Sequence, residues 1–275
     1  MWVFLAMSHP VQPPVVLAIA GFDPSAGAGI LADIKTISAF GCYGVAAVTS
    51  LTFQNTQMVY GTLGQSGEVA LRQIEPLFED FEIAAVKTGV LPSAEIIRAV
   101  ASIIEVKKVP LVVVDPVLRS SSGVDLADDR AVEALTSYLF PLAGVVTPNV
   151  EEARRITGLD IKNQAEMEAA ASQILKLGPQ AVLITGGDAD TDFSTDLLVD
   201  GQGSTVYRAE RIRSQNTHGT GCTLASALAC LQAQGKSLRE SIPIAKRYIG
   251  AAILSAPGLG KGKGPLNHFP PGFET

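Results

Sequence analysis

The sequence predicts an α/β fold with a mainly parallel central sheet and helices on both of its faces. Short apolar runs alternate with amphipathic stretches along the 275 residues, which is the pattern of a parallel sheet covered by helices. The runs are apolar at consecutive positions, as expected of strands that are buried on both faces. Most of them end at glycine, proline or a polar residue, so a ligand cleft is predicted along the carboxyl edge of the sheet.

Six strands are predicted for the parallel part of the sheet. The first is an unbroken apolar run that stops at Gly21. The predicted strands are residues 15–20, 45–53, 84–88, 111–114, 144–147 and 181–185. Residues 196–199 and 205–209 flank a turn at Asp200-Gly201, which predicts an antiparallel pair at one edge of the sheet.

Helices are predicted between these strands, where apolar residues recur at spacings of three and four. They are residues 30–40, 68–78, 93–107, 128–139, 151–157, 164–177, 222–234 and 237–255. No flexible linker, long charge run or internal repeat divides the chain. We therefore expect one domain over residues 15–269, with a short N-terminal extension at 1–14 and a C-terminal tail at 270–275.

Composition excludes several classes of protein. The net charge of −6 argues against a general affinity for nucleic acid or anionic membrane. Cys42, Cys222 and Cys230 lack the spacing of a zinc site or disulfide framework, which favours a reducing, cytoplasmic compartment. No apolar run is long enough for a transmembrane helix. The apolar first six residues lack the basic start of a signal peptide, and Met7 is an equally good start.

The strongest chemical signal is a glycine-rich turn that runs into a helix. Gly219, Thr220 and Gly221 precede Cys222 and a run of small residues. Amides at a helix N-terminus, with about half a positive charge from the macrodipole, suit charge that builds up on a transferring phosphoryl group. Such a position also favours a thiolate, so Cys222 is predicted to take a proton from a substrate hydroxyl. The alternative is a plain helix cap with a structural cysteine.

A second glycine-rich segment, residues 21–29, follows the first strand. It lacks the spacing of a dinucleotide fingerprint and the lysine of a Walker A loop. Its small residues would let a flat ligand lie close to the backbone, and Asp33 on the next helix could accept a hydrogen bond from that ligand. The alternative is a tight strand-to-helix turn.

Acidic residues follow two other strands. Asn149 and Glu152 form a pattern that can hold hydrated Mg²⁺ near phosphates, although Glu152 can equally be a helix-capping residue. Asp115 is fixed at a strand end and is predicted near the metal or phosphate. His218 and the other two histidines have no metal-ligand spacing and are predicted to be structural.

Taken together, these segments resemble the ribokinase superfamily and, within it, the hydroxymethylpyrimidine/phosphomethylpyrimidine kinases of thiamine biosynthesis. The matching stretches, residues 20–25, 27–30, 32–36, 54–56 and 216–222, occur in the family's order, and the likeness extends over 15–269. The resemblance implies a ribokinase-like three-layer sandwich, the substrates ATP and a pyrimidine, Mg²⁺, and a homodimer.

The resemblance also implies roles for individual residues. The pyrimidine pocket would consist of Gly21, Ala28 and Gln54, with Asp33 nearby. Asn149 and Glu152 would position Mg²⁺ and phosphates. Cys222 would replace the aspartate base of the sugar kinases, and Gly219, Thr220 and Gly221 would form the anion hole.

Three departures from the family pattern affect the expected specificity. Val90 stands where a methionine is usual at the pyrimidine. Two lysines expected to contact phosphate are missing, from the segments 120–123 and 185–188. Arg119 is a candidate replacement for one, and Thr185 can donate a hydrogen bond instead of the other. A wider pocket and a shifted cation favour phosphorylation of the pyrimidine monophosphate.

Two other functions stay open. A pyridoxal/pyridoxine kinase would present a similar hydroxymethyl group to the same base. A catalytically silent protein of the same fold would bind ligand without turnover. A dehydrogenase is disfavoured by the missing dinucleotide fingerprint.

Overall fold

A computed structural model describes residues 12–120, 123–186 and 192–273. It confirms the predicted α/β architecture: a nine-stranded mixed sheet lies between two layers of helices. Predictions on residues 1–11, Ser121, Ser122, Gly187, Asp188 and the last two residues lie outside the described residues.

The sheet has the strand order β3-β2-β1-β4-β5-β6-β7-β8-β9. The strands are β1 (Val15–Phe22), β2 (Tyr43–Gln54), β3 (Val59–Gly64), β4 (Ile83–Thr88), β5 (Val112–Val114), β6 (Val145–Val146), β7 (Ala181–Gly186), β8 (Phe193–Asp200) and β9 (Gly203–Glu210). The run from β2 to β7 is parallel, whereas β3, β8 and β9 pair antiparallel. The edge pair predicted around Asp200-Gly201 is therefore confirmed.

In the described residues, eight α-helices cover the sheet. They are α1 (Gly29–Ala39), α2 (Gly67–Asp80), α3 (Ala94–Lys107), α4 (Asp129–Ala134), α5 (Val150–Thr157), α6 (Gln164–Leu175), α7 (Thr220–Ala233) and α8 (Leu238–Leu254). One face of the sheet buries apolar side chains of α2 to α6, and the other buries those of α1, α7 and α8. None of the described helices has the length and apolar character needed to span a membrane.

Two elements differ from the sequence-based expectation. β3 was not predicted, because its side chains Tyr60 and Leu63 are exposed and give no clear apolar alternation. The helix predicted at 128–139 is α-helical only to Ala134; a π-helical turn, Leu135–Leu139, and a 3-10 turn, Phe140–Leu142, follow it. Pro141 lacks the amide hydrogen that would continue the helix.

The strand order places a cleft between β1 and β4. The chain moves from β1 outward to β2 and β3, then returns to β4 on the other side of β1. In open α/β sheets, ligands bind beyond the carboxyl ends of strands at such a reversal. The helix α7 packs across β1, β4 and β5, so its N-terminus reaches the same cleft.

Candidate active site

A cavity of about 1200 Å³ opens along the carboxyl edge of the sheet. All the predicted site residues except Asp33 line its wall. They are Gly21, Ala28, Gln54, Val90, Asp115, Arg119, Asn149, Glu152, Thr185, Gly219, Thr220, Gly221 and Cys222. Residues from distant parts of the chain therefore share one cavity.

The two glycine-rich turns pack backbone against backbone. Gly219 has φ +85°, and a Cβ atom there would lie 2.0 Å from the Gly27 carbonyl oxygen. Gly29 has φ +57°, and its Cβ would lie 2.3 Å from the Gly21 carbonyl oxygen. Only glycine fits both the backbone conformation and the space at these positions. The close approach brings the N-termini of α1 and α7 together.

Cys222 lies where these helices meet. The Gly29 amide donates a hydrogen bond to its sulfur. Burial nevertheless raises the pKa of Cys222 to about 12, although the nearby Lys87 ammonium works in the opposite direction. The side chain is therefore a thiol in this state of the site. Desolvation therefore opposes the thiolate that the helix N-terminus is predicted to favour.

A buried ion pair lies next to Cys222. Lys87 Nζ donates to Asp33 Oδ1 at 2.7 Å, and both side chains are fully buried. Ser226 Oγ also donates to Asp33 Oδ1, at 2.8 Å. Asp33 is thus a partner of Lys87 beneath the cavity wall, which corrects its predicted place in the substrate pocket. Burial raises the pKa of Asp33, and Lys87 opposes that shift.

Asp115 is the second acid beside Lys87. Its Oδ2 lies 4.0 Å from Lys87 Nζ and has no hydrogen-bond partner in the described part of the chain. Burial raises the pKa of Asp115 to about 6, with Lys87 and a hydrogen bond from Cys222 lowering it and Asp33 raising it further. Burial works against the Lys87 ammonium, but Asp33, Cys222 and Asp115 outweigh it and raise the pKa of Lys87. Lys87 was not among the predicted site residues.

Glu152 and Asn149 form a capping box at the start of α5. Asn149 Oδ1 accepts from the Glu152 amide at 2.8 Å, and Glu152 Oε2 accepts from the Asn149 amide at 2.9 Å. Glu152 Oε1 accepts from the Leu118 amide at 3.4 Å. The geometry therefore shows the capping role that the sequence left open. Within the described ranges, no group of three His, Cys, Asp or Glu side chains is arranged to hold a metal ion.

An Asp–His pair joins the two glycine-rich turns. His218 Nε2 lies 2.8 Å from Asp23 Oδ2, although 195 residues separate them in the chain. Burial raises the pKa of Asp23, but hydrogen bonds from His218, Ser25 and Gln54 outweigh burial and leave it well below its usual range. Local sequence gave no signal for this pair, because it is defined only by the fold. Gln54 is therefore held beside the Asp23–His218 pair at the cavity wall.

The cavity is also lined by basic side chains that were not predicted from the sequence. Arg211 and Arg213 precede α7, and Lys263 follows α8. Lys246, on α8, pairs with Asp196, which lies directly across from Thr185 in the β7–β8 ladder. Arg119 pairs with Asp125 at 2.9 Å in an exposed position at the cavity wall.

The glycine-rich segment 258–264 lies against the turn between β2 and β3. The amides of Lys261 and Gly262 donate to Thr56 Oγ1 at 3.1 and 3.2 Å. The Gly264 amide donates to the Gln215 carbonyl, and its carbonyl accepts from the His218 amide. This segment therefore closes the side of the site that holds Gln54 and His218.

The chain matches a family model described as phosphomethylpyrimidine kinase over residues 23–267. It is 41% identical to the hydroxymethylpyrimidine/phosphomethylpyrimidine kinase of Streptomyces coelicolor, over 96% of this chain and 97% of that one. It is 47% identical to the thiamine biosynthesis bifunctional protein ThiED of Geobacter sulfurreducens, over 92% of this chain, but it spans only 52% of that longer relative.

Solved structures give the same grouping. A phosphomethylpyrimidine kinase from Clostridium difficile superimposes with a TM-score of 0.77 at 40% identity, covering 87% of this chain and 99% of that one. A pyridoxal kinase from Staphylococcus aureus, in complex with AMP-PCP and pyridoxal, gives 0.86 at 34% identity, covering 94% and 95%. The ribokinase-like fold and the phosphotransferase activity follow from these matches. The chain belongs to the phosphomethylpyrimidine kinase family.

Proposed function

We propose that this enzyme transfers the γ-phosphoryl group of ATP to 4-amino-5-hydroxymethyl-2-methylpyrimidine and to its monophosphate, and that it favours the monophosphate. The observation that carries this proposal is the convergence of Cys222, at the start of α7, with Gln54 and Val90 on one cavity. A hydroxymethyl group on a ring that contacts Gln54 would face the cysteine and the turn before it. The thiamine-biosynthesis relatives support the choice of ring.

The acceptor pocket suits a flat, hydrogen-bonding ring. Gly21 and Ala28 present little side chain, so a ring can lie against the backbone. Gln54 offers one amide donor to Asp23 and keeps its remaining polar groups for the ring edge. Val90 is shorter than the methionine usual at this position and leaves space for a larger acceptor.

The turn before α7 suits the transferring phosphoryl group. The N-cap of α7 is Gly219, which has a left-handed conformation and no side chain to cap the amides that follow it. Amides fixed in this way stabilise charge that develops in the transition state. Thr185 and Arg119 lie on the same cavity and would donate to the nucleotide phosphates.

Mg²⁺ fits this site as a companion of ATP rather than as a resident ion. Both carboxylate oxygens of Glu152 accept backbone hydrogen bonds, so Glu152 would reach the ion through water, beside Asn149. Mg²⁺ keeps several of its waters and binds phosphate oxygens, which agrees with this arrangement. When bound, it would neutralise charge on the β- and γ-phosphates.

The preference for the monophosphate rests on the changed residues of the pocket. Val90 enlarges the acceptor side, and Arg119 and Thr185 take the place of the two lysines expected at other positions. A side-by-side assay of ADP release with the free alcohol and the monophosphate tests this proposal. We expect turnover with both and a higher kcat/KM for the monophosphate. A higher kcat/KM for the alcohol would contradict the preference.

A pyridoxal kinase is the second candidate, because pyridoxal kinases from Staphylococcus aureus superimpose on 94% of the chain. The same assay with pyridoxal separates the two: turnover only with pyridoxal would exclude the pyrimidine reaction. Absence of turnover with all three acceptors would favour the silent ligand-binding protein. The homodimer and the cytoplasmic location stay predictions.

A further inference from the structure

Four titratable groups from four separate elements meet at the start of α7. Asp33 lies on α1, Lys87 on β4, Asp115 directly after β5, and Cys222 on α7. In the described part of the chain, the charges of Asp33, Asp115 and Cys222 all act on Lys87, and the charge of Lys87 acts on Asp115 and Cys222 in return. The charge of Asp33 also acts on Cys230, two turns further along α7. The transfer chemistry uses only Cys222 from this cluster, so the other groups need an explanation.

The two carboxyl groups of this cluster, those of Asp33 and Asp115, have different surroundings. Asp33 shares a 2.7 Å ion pair with Lys87 and accepts from Ser226, so its charge is matched. Asp115 lies 4.0 Å from the same ammonium and lines the cavity. Among the described residues, each of the two carboxyl groups also keeps a buried Oδ2 without a hydrogen-bond partner. One buried ammonium cannot fully balance two buried carboxylates, and an uncompensated buried charge is costly. Asp115 is therefore the carboxyl group that is held less closely by the ammonium and that borders the cavity.

We infer that Asp115 receives the proton of the Cys222 thiol while Cys222 takes up the proton of the acceptor hydroxyl, with Lys87 and Asp33 as positioning residues that hold this relay. This inference rests on the proposed function. Asp115 is placed to accept the thiol proton because it lines the cavity beside Cys222 and its Oδ2 has no hydrogen-bond partner among the described residues. The raised pKa of Cys222, about 12, and that of Asp115, about 6, agree with transfer in this direction.

The relay conserves atoms and charge. The acceptor oxygen forms a bond to the γ-phosphorus while the bond from that phosphorus to the bridging oxygen of ADP breaks, and ADP keeps the electron pair. The hydroxyl proton moves to Cys222 Sγ as the thiol proton moves to the Asp115 carboxylate. Asp115 releases its proton to solvent after the products leave, and Cys222 is again a thiol.

The two acceptors make different demands on this relay. A primary alcohol must lose a proton as it attacks. A phosphate monoester has its second pKa near 6, so above about pH 7 its attacking oxygen carries no proton. Asp115 is therefore required for phosphorylation of the alcohol and dispensable for phosphorylation of the monophosphate.

Asp115→Asn tests this requirement. Asparagine keeps the shape of the side chain and can still accept the thiol hydrogen bond, but it takes up no proton. At about pH 7.5 we expect kcat for the alcohol to fall about 100-fold or more, the usual contribution of a proton acceptor, with little change for the monophosphate. KM for ATP should stay within about threefold. Asp80→Asn, at the exposed end of α2, should leave both rates unchanged.

A second measurement uses the unmodified enzyme. At saturating substrate, kcat for the alcohol should decline below about pH 6, as the carboxyl of Asp115 becomes protonated. Asp115→Asn should remove this decline from its residual activity. Equal losses for both acceptors in Asp115→Asn would overturn the relay, as would a wild-type kcat for the alcohol that stays flat to about pH 5. Absence of wild-type turnover with either acceptor would instead refute the proposed function.

Discussion

Cys222 lies at a helix N-terminus, which favours the thiolate, but its desolvated surroundings favour the thiol. The amide of Gly29 and the ammonium of Lys87 favour the thiolate, but burial dominates and keeps the proton on sulfur. The thiol is therefore a relay point that exchanges one proton for another during transfer. Lys87 supplies the positive charge that makes such an exchange possible in a buried site.

Replacement of Cys222 separates turnover from binding. Cys222→Ala removes the group that accepts the hydroxyl proton, so kcat for the alcohol should fall by a factor of about 100 to 10,000. The proposed nucleotide contacts, Thr185 and Arg119, lie elsewhere on the cavity, so calorimetry should give an unchanged Kd for a non-hydrolysable ATP analogue. A variant that keeps kcat within about threefold of wild type would show that Cys222 is a structural residue.

At the scale of elements, the turns between strands and helices determine where the residues of the site lie. α1 and α7 begin within hydrogen-bonding reach of each other because Gly27, Gly29 and Gly219 allow close backbone contact. The N-terminus of α7 can then lie at the cleft between β1 and β4. The same close contact makes this region sensitive to any added side chain.

Gly219→Ala should damage both stability and activity. The substitution strains a left-handed backbone, at about 1–2 kcal/mol, and adds a clash with the Gly27 carbonyl oxygen 2.0 Å away. Gly235→Ala is the matched control, because Gly235 has φ +89° and its Cβ would meet nothing within 4 Å. Urea unfolding should show a moderate loss of stability for Gly235→Ala. The kcat of this variant should stay unchanged. Equal effects of the two substitutions would show that the turn packing is unimportant.

Local sequence was sufficient for the buried strands and for most helices, because their apolar periodicity is strong. It failed for β3, whose exposed Tyr60 and Leu63 carry no such pattern. It also failed where partners are distant: Lys87 and Asp33 are 54 residues apart, and Asp23 and His218 are 195 apart. Family motifs pointed to Asp33, but only the folded chain shows that its partner is Lys87.

At the scale of the whole molecule, the buried acids link activity to stability. A carboxyl group that is harder to ionise in the folded chain than in the unfolded chain destabilises the fold once it is charged. Asp115 is such a group, because burial raises its pKa from 3.8 to about 6. The cluster that supports the proposed proton relay therefore reduces the stability of the protein at neutral pH.

The pH dependence of unfolding measures this cost. Between about pH 4 and pH 6 the folded chain binds more protons at Asp115 than the unfolded chain does, so the free energy of unfolding should fall as the pH rises through this range. The side chain of Asp115→Asn does not titrate. The free energy of unfolding of this variant, relative to that of wild type, should therefore increase over the same interval, by at most about 3 kcal/mol. Urea unfolding of both proteins at several pH values gives the difference, with Asp80→Asn as the reference for an exposed acid. A difference that stays constant from about pH 4 to pH 7 would show that Asp115 ionises as easily in the folded chain as in the unfolded one, and its carboxylate would then face water rather than the buried side of Cys222.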